Sequence, residues 1–117
     1  MRPHKKLAAW TESIIMVKKI YTLTKQFPED EKYGIVSQLR RASVSVPVNI
    51  AEGAGRNSPK EFKYFLNIAL GSLSELDTLI TVSSELGYIN DAHLKEYEKE
   101  IERITALVSG LYKSIQT

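Results

Sequence analysis

The chain contains no cysteine, so it builds no disulfide framework, offers no thiolate to zinc or an iron–sulfur cluster, and has no thiol nucleophile. Histidine is almost absent too. His4 and His93 stand far apart in sequence, and a lone imidazole without partners is a poor catalyst or metal ligand. There is no HExxH, no GxxxxGK[ST] and no Glu-x-x-His pair of the kind a di-iron helix bundle uses. No uninterrupted apolar run approaches the ~20 residues that span a bilayer. The basic start Met1-Arg2-Pro3-His4-Lys5-Lys6 leads into Glu12, Lys18 and Lys19 rather than into the apolar core of an export signal. These absences set the expectations of a cytoplasmic protein that has no membrane partner, metal or cofactor and is not an enzyme. At 117 residues the chain has room for one domain, 1–117, able to bury roughly two thirds of its unfolded surface.

What is present is charge, unevenly placed. The net charge is only +2, yet residues 1–27 carry +5 while 58–90 carry −2 and 91–117 carry −1. Segregated basic charge attracts phosphate through its local field, whatever the total. The alternative is a solvated lysine face.

Apolar periodicity predicts four helices, near 5–26, 30–54, 58–86 and 91–116. In the first, Leu7, Trp10, Ile14, Val17, Tyr21 and Thr24 form one 3-4 stripe, and Met16, Ile20, Leu23 and Phe27 form a second beside it. Pro28 should end that helix, and Glu29-Asp30-Glu31 suit the first turn of the next. The second segment is ambiguous. Val36, Leu39, Ser43, Val46 and Ile50 keep helical spacing, whereas Ser43-Val44-Ser45-Val46-Pro47-Val48 alternates like a strand. A single proline-containing strand would have no partner here, so the segment reads as a helix bent at Pro47. The third segment opens on Ser58-Pro59-Lys60-Glu61, a capping box with a first-turn proline. Phe62, Leu66, Ala69, Leu73, Leu76, Ile80 and Ser83 follow, and Gly87 closes the helix. The fourth starts at Asn90 or Asp91 and carries Leu94, Tyr97, Ile101, Ile104, Val108, Leu111 and Ile115. Four such helices joined by short loops make an all-α, antiparallel up-down-up-down four-helix bundle. The doubled stripe of the first helix exceeds what one bundle core needs, which predicts self-association.

Few residues point to a site. Gly53-Ala54-Gly55-Arg56 resembles a phosphate-cradling turn but lacks the strand a dinucleotide fold requires, so it reads as a helix end. Arg56 and Lys60, with free amides of the third helix, remain candidates for one phosphate. Glu52 has no partner carboxylate or nucleophile placed beside it. Arg40 and Arg41 point about 100° apart, so they are expected not to serve the same surface; one could pair with an internal or intersubunit carboxylate while the other meets a phosphate, and the sequence does not say which.

Leu39-Arg40-Arg41-Ala42, Asn49-Ile50-Ala51-Glu52-Gly53, Phe62-x-x-Phe65-Leu66-x-Ile68-Ala69-x-Gly71-Ser72-x-x-Glu75-Leu76 and Leu86-Gly87-Tyr88-Ile89 resemble the pattern of the bacterial four-helix-bundle family of intervening-sequence proteins. These are encoded in insertions within large-subunit ribosomal RNA genes and are often called ribosomal proteins. The family is related to the accessory variability determinant of diversity-generating retroelements. The resemblance implies a ring-like homopentamer whose basic surface binds RNA or DNA, with a reverse transcriptase or another protein as partner. The residues expected to contact phosphates are Lys5, Lys6, Lys18, Lys19, Lys25, Arg40, Arg41 and Arg56. The other reading is an oligomeric protein-interaction scaffold with no nucleic-acid role.

Overall fold

The computed structural model describes residues 3–116, and at Lys5 and Lys6 the backbone alone. Four helices follow a short 3-10 turn at Pro3–Lys6: α1 (Ala8–Thr24), α2 (Ile35–Ala54), α3 (Pro59–Glu85) and α4 (Asp91–Ser114). Each helix packs on its neighbours in sequence and α4 closes back on α1, with no diagonal contact. The result is the expected antiparallel up-down-up-down bundle, 44 × 24 × 22 Å, with no strand among the described residues.

The core is built from the stripes the spacing marks. Leu39, Ile50, Leu66, Leu76 and Ile80 are completely buried, each contributing about 1.5–3 kcal/mol through loss of apolar surface to water. In α1 the two stripes separate. Met16, Ile20, Leu23 and Phe27 are buried, whereas the other stripe is mixed, with Ile14 and Tyr21 exposed, Leu7, Trp10 and Val17 half-buried and Thr24 buried. Buried hydroxyls do not disturb this core, because Ser13, Thr24, Ser43 and Ser83 each donate to a carbonyl three or four residues back in the same helix.

The second segment is helical throughout, including Pro47, and residues 43–50 form no strand. Pro47 supplies no N–H to the Ser43 carbonyl, so packing must sustain the helix there. That packing comes chiefly from α3, with which α2 shares the most extensive interface. Small side chains let the two approach. The Ser45 and Ser72 hydroxyls lie 2.8 Å apart, and Asn49 Nδ2 donates to the Ser45 carbonyl at 2.8 Å. At Gly53 a Cβ would stand 2.8 Å from Phe62 Cδ1 and 3.0 Å from Phe65 Cβ, so only glycine fits that crossing.

Two helix starts depart from expectation: α1 begins at Ala8 rather than near residue 5, because Pro3–Lys6 form a 3-10 turn, and α2 departs further. α2 begins at Ile35, not near residue 30, because Glu29–Glu31 form a separate 3-10 turn and Gly34 takes a non-helical conformation. The acidic turn still serves α2. Glu31 Oε1 accepts from the Ile35 N–H at 3.4 Å, and Glu31 Oε2 accepts from the Tyr88 hydroxyl at 2.7 Å, tying the α1–α2 loop to the α3–α4 loop. That carboxylate raises the Tyr88 pKa above its ordinary value, chiefly through the hydrogen bond, since the bond requires the phenol proton. Ser58 caps α3 by accepting from the Glu61 N–H at 3.2 Å, and Asn90 caps α4 by accepting from the His93 N–H at 2.8 Å. Gly87 closes α3 with φ +80°, a conformation that favours glycine. α3 is the longest helix, and Glu75 and Asp77 interrupt its apolar run as the sequence reading holds. It has 27 residues and a mean hydropathy of 1.3 over its most apolar 18-residue window, enough by length and composition to cross a bilayer. Leu66, Leu73, Leu76 and Ile80 of that window nevertheless lie inside the bundle.

Two glycines should therefore respond oppositely to the same change. Gly53→Ala should lower stability by about 1–2 kcal/mol through overpacking. Gly110→Ala, whose Cβ would meet nothing within 4 Å, should raise it by about 0.5–1 kcal/mol through helix propensity. Chemical denaturation of both variants measures the two signs.

Candidate nucleic-acid interface

The eight cations expected to meet phosphates do not form one surface. Lys5 and Lys6 lie outside the described side chains. Lys19 points toward α4, where its Nζ donates to the Glu100 carboxylate and stands 3.8 Å from Glu96. The hydrogen bond to Glu100 raises the Lys19 pKa above its usual 10.5. The charges of Glu100, Glu96 and Glu12 add to the rise, and partial desolvation opposes it. Arg103 Nε donates to Glu12 Oε1 at 2.8 Å, and the Tyr97 hydroxyl donates to the Lys19 carbonyl at 3.2 Å. Lys19 is thus a strut across the α1–α4 seam, the least extensive in the bundle.

Arg56 is engaged at the turn between α2 and α3. Its guanidinium meets Glu52 Oε2 at 3.2 Å and Glu61 Oε1 at 3.5 Å and lies 5.1 Å above the Phe65 ring. The turn amides are also occupied, since Gly55 N–H donates to Ala51 and Arg56 N–H to Gly53. The glycine-rich stretch therefore ends a helix, as its reading predicted, and Glu61 takes the position beside Arg56 that an anion would need.

The remaining cations gather on the α1–α2 face. Lys25 and Arg40 line one groove together with Lys32, Thr24, Phe27 and Glu29. Arg40 is half-buried. Its Nε donates to Thr24 Oγ1 at 3.0 Å, and its guanidinium stacks 4.5 Å from the Tyr21 ring centroid. Arg40 and Arg41 then line the adjoining groove with Tyr21, Val44 and Val48. Arg41, exposed, also borders the α2–α3 groove with Gln38 and Glu75. The two arginines therefore share one groove, against the expectation from their 100° separation, while Arg41 alone reaches the next groove and Arg40 meets a hydroxyl and a ring rather than a carboxylate. Lys18 is exposed on α1. Among the described residues, Lys18, Lys25, Lys32 and Arg41 belong to none of the ion pairs.

Lys32 was missed by sequence reasoning because it follows Glu29-Asp30-Glu31 and was assigned to a helix start. Its neighbour Tyr33 is 89% exposed, an aromatic beside the basic groove, with Lys32 Nζ 5.6 Å from the ring centroid. The opposite side of the bundle is acidic, with Asp77, Glu98 and Glu102 lining the α3–α4 groove. No cluster of three or more His, Cys, Asp and Glu suited to a metal occurs among the described residues. The arrangement presents cations and aromatic faces on one side, the chemistry of phosphate contact and base stacking.

Residues 5–110 match the family model of the 23S rRNA-intervening sequence protein. A crystal structure from Bacteroides thetaiotaomicron, described as a protein with unknown function from the S23 ribosomal protein family, superposes with a TM-score of 0.84. It is 22% identical and aligns over 91% of this chain and 96% of its own, which establishes a shared fold. No curated protein matches the chain.

Replacing Lys19 by Ala should lower stability by about 0.2–1 kcal/mol, the range for a solvent-screened ion pair. Because the folded state raises the lysine pKa, this contribution is present below pH 10.5 and disappears as pH rises through the higher folded value. Denaturation of both proteins at neutral and strongly alkaline pH should show the difference closing.

Proposed function

We propose, from the premise that the chain belongs to the 23S rRNA-intervening sequence protein family, that it is an oligomeric cytoplasmic accessory protein, not an enzyme, that binds RNA or DNA phosphates. The observation that carries this reading is the groove in which Lys25, Lys32 and Arg40 converge with Glu29 as its one carboxylate. Lys18 extends the basic surface along α1, and the exposed Tyr33 ring offers a stacking face beside it. Contacts of this kind go to the backbone, so the binding is to structured RNA or DNA without strong base preference. Lys19 and Arg56, held by carboxylates, support the fold rather than the ligand.

One copy offers only a few cations, so useful affinity depends on several copies engaging one strand. Exposure of Ile14 and Tyr21 on α1 supports such self-association. A ring of five accords with the resemblance to the accessory variability determinant, and a reverse transcriptase or similar protein would then be a further partner. The protein-scaffold reading draws on the other exposed apolar residues, Tyr64, Ile68, Val82 and Leu86 on α3.

Affinity for a duplex should fall with salt at a slope approaching ~0.9 per phosphate contacted. Lys25→Glu combined with Lys32→Glu should weaken binding about tenfold or more on every sequence at low salt. Arg56→Ala should leave it nearly unchanged. Fluorescence anisotropy at low and physiological salt measures both effects. Absence of any binding by the wild-type protein at low salt would favour the scaffold.

A further inference from the structure

The large exposed apolar side chains of the helices fall mainly on two faces. Ile14, Tyr21 and Val48 lie on the α1–α2 face, and Tyr64, Ile68, Val82 and Leu86 run along the outward side of α3 and its C-cap. The two faces differ in charge. The groove holding Tyr21, Val44 and Val48 contains Arg40 and Arg41 and no carboxylate. From Tyr64 to Glu85, α3 carries Glu75, Asp77 and Glu85 with no lysine or arginine.

This asymmetry discriminates between ways of self-association. Two α3 faces meeting across a two-fold axis near Glu75 would bring the Glu75 carboxylates of both copies together, with Lys60 and Lys63, the cations of α3, three or more turns away at its start. Two α1–α2 faces would oppose their arginines. Each arrangement places like charges in contact, whereas joining unlike faces pairs apolar with apolar and cation with carboxylate. We infer that the α3 stripe of one copy docks on the α1–α2 face of the next, with Glu75 of the second copy pairing with Arg41. The inference rests on the oligomeric part of the proposed function and assigns the surfaces that build it.

The heights along the bundle agree. Arg41 and Glu75 border one groove, and the Ser45–Ser72 contact sets the α2–α3 register. Since the helices are antiparallel, four residues further places Asn49, beside Val48, level with Ile68. In a ring whose axis runs along the bundles, rotation preserves height. Glu75 of the second copy therefore arrives level with Arg41, and its Ile68 level with Val48. Among the described residues Arg41 and Glu75 form no ion pair within one chain, so both are available. Lys25 and Lys32 lie nearer the α1–α2 loop, beyond the docked stripe.

Analytical ultracentrifugation of the full chain tests the contact, with circular dichroism confirming that each variant is folded. The wild type should sediment as an oligomer. Arg41→Glu and Glu75→Arg should each raise its apparent dissociation constant about tenfold or more by opposing like charges. Ile68→Asp should do so independently of that pair. Mixing the Arg41→Glu and Glu75→Arg proteins should restore association at junctions between unlike chains, giving mixed dimers and alternating assemblies although a ring of five would keep one opposed junction, and repair of a pair within one chain cannot do this. Oligomers of unchanged stability in all three single variants, or a mixture that stays dissociated, would overturn this contact and leave self-association standing. A monomeric wild type would overturn self-association itself.

Discussion

The close approach of α2 to α3 is the constraint on which the rest of the bundle depends. α2 is a poor helix in isolation, with β-branched residues, three serines and Pro47 within its length. It is held by the face it buries, and it can bury that face only where α3 comes near enough. Gly53 against Phe62 and Phe65 sets the approach near the α2–α3 turn, and the Ser45–Ser72 contact sets it midway. Lengthening either side chain would separate the helices and leave Pro47 without the neighbours that compensate for its missing hydrogen bond.

Around that pair the seams differ in chemistry. The α2–α3 seam is the most extensive and is lined by small side chains, while the α1–α4 seam is narrower and is bridged by Lys19, Glu12, Arg103 and the acidic α4 edge. Surface ion pairs stabilise weakly. Closure of the bundle therefore owes more to Tyr97, Ile101, Ile104 and Val108 beneath the charges than to the charges themselves. The same partition consumes cations: Lys19 and Arg56 serve packing, whereas among the described residues Lys18, Lys25, Lys32, Arg40 and Arg41 stay outside ion pairs on the α1–α2 face. A chain of net charge +2 thereby acquires one distinctly basic side and one acidic side without any excess of lysine.

Helix identity was legible because the 3-4 spacing in α3 and α4 is unbroken and the caps at Ser58, Asn90 and Gly87 have defined local chemistry. The start of α2 was not, because an acidic triplet suits a helix N-terminus and a 3-10 turn equally, and Gly34 decides between them only once the loop is packed. Nor was the role of each lysine. Lys18 and Lys19 are adjacent in sequence and identical in chemistry, but about 100° of helical rotation sends one to solvent and the other to Glu100 on a helix some eighty residues away. Lys32 was hidden by its acidic neighbours in sequence, although it stands beside Lys25 and Arg40 in space.

By itself the sequence determined four amphipathic helices, their order, most of the core and the family pattern, because these follow from spacing within single segments. It also placed two apolar stripes on α1 without saying which would be buried. Only the tertiary structure decided that Met16 and Ile20 face inward while Ile14 and Tyr21 face out, and that Arg40 rests on Tyr21 while Arg56 is held by Glu52 and Glu61. The physical reason is that periodicity fixes angles around one helix axis. The partner of a side chain depends on how that axis is rotated and raised against three others, and contacts between distant segments set that rotation.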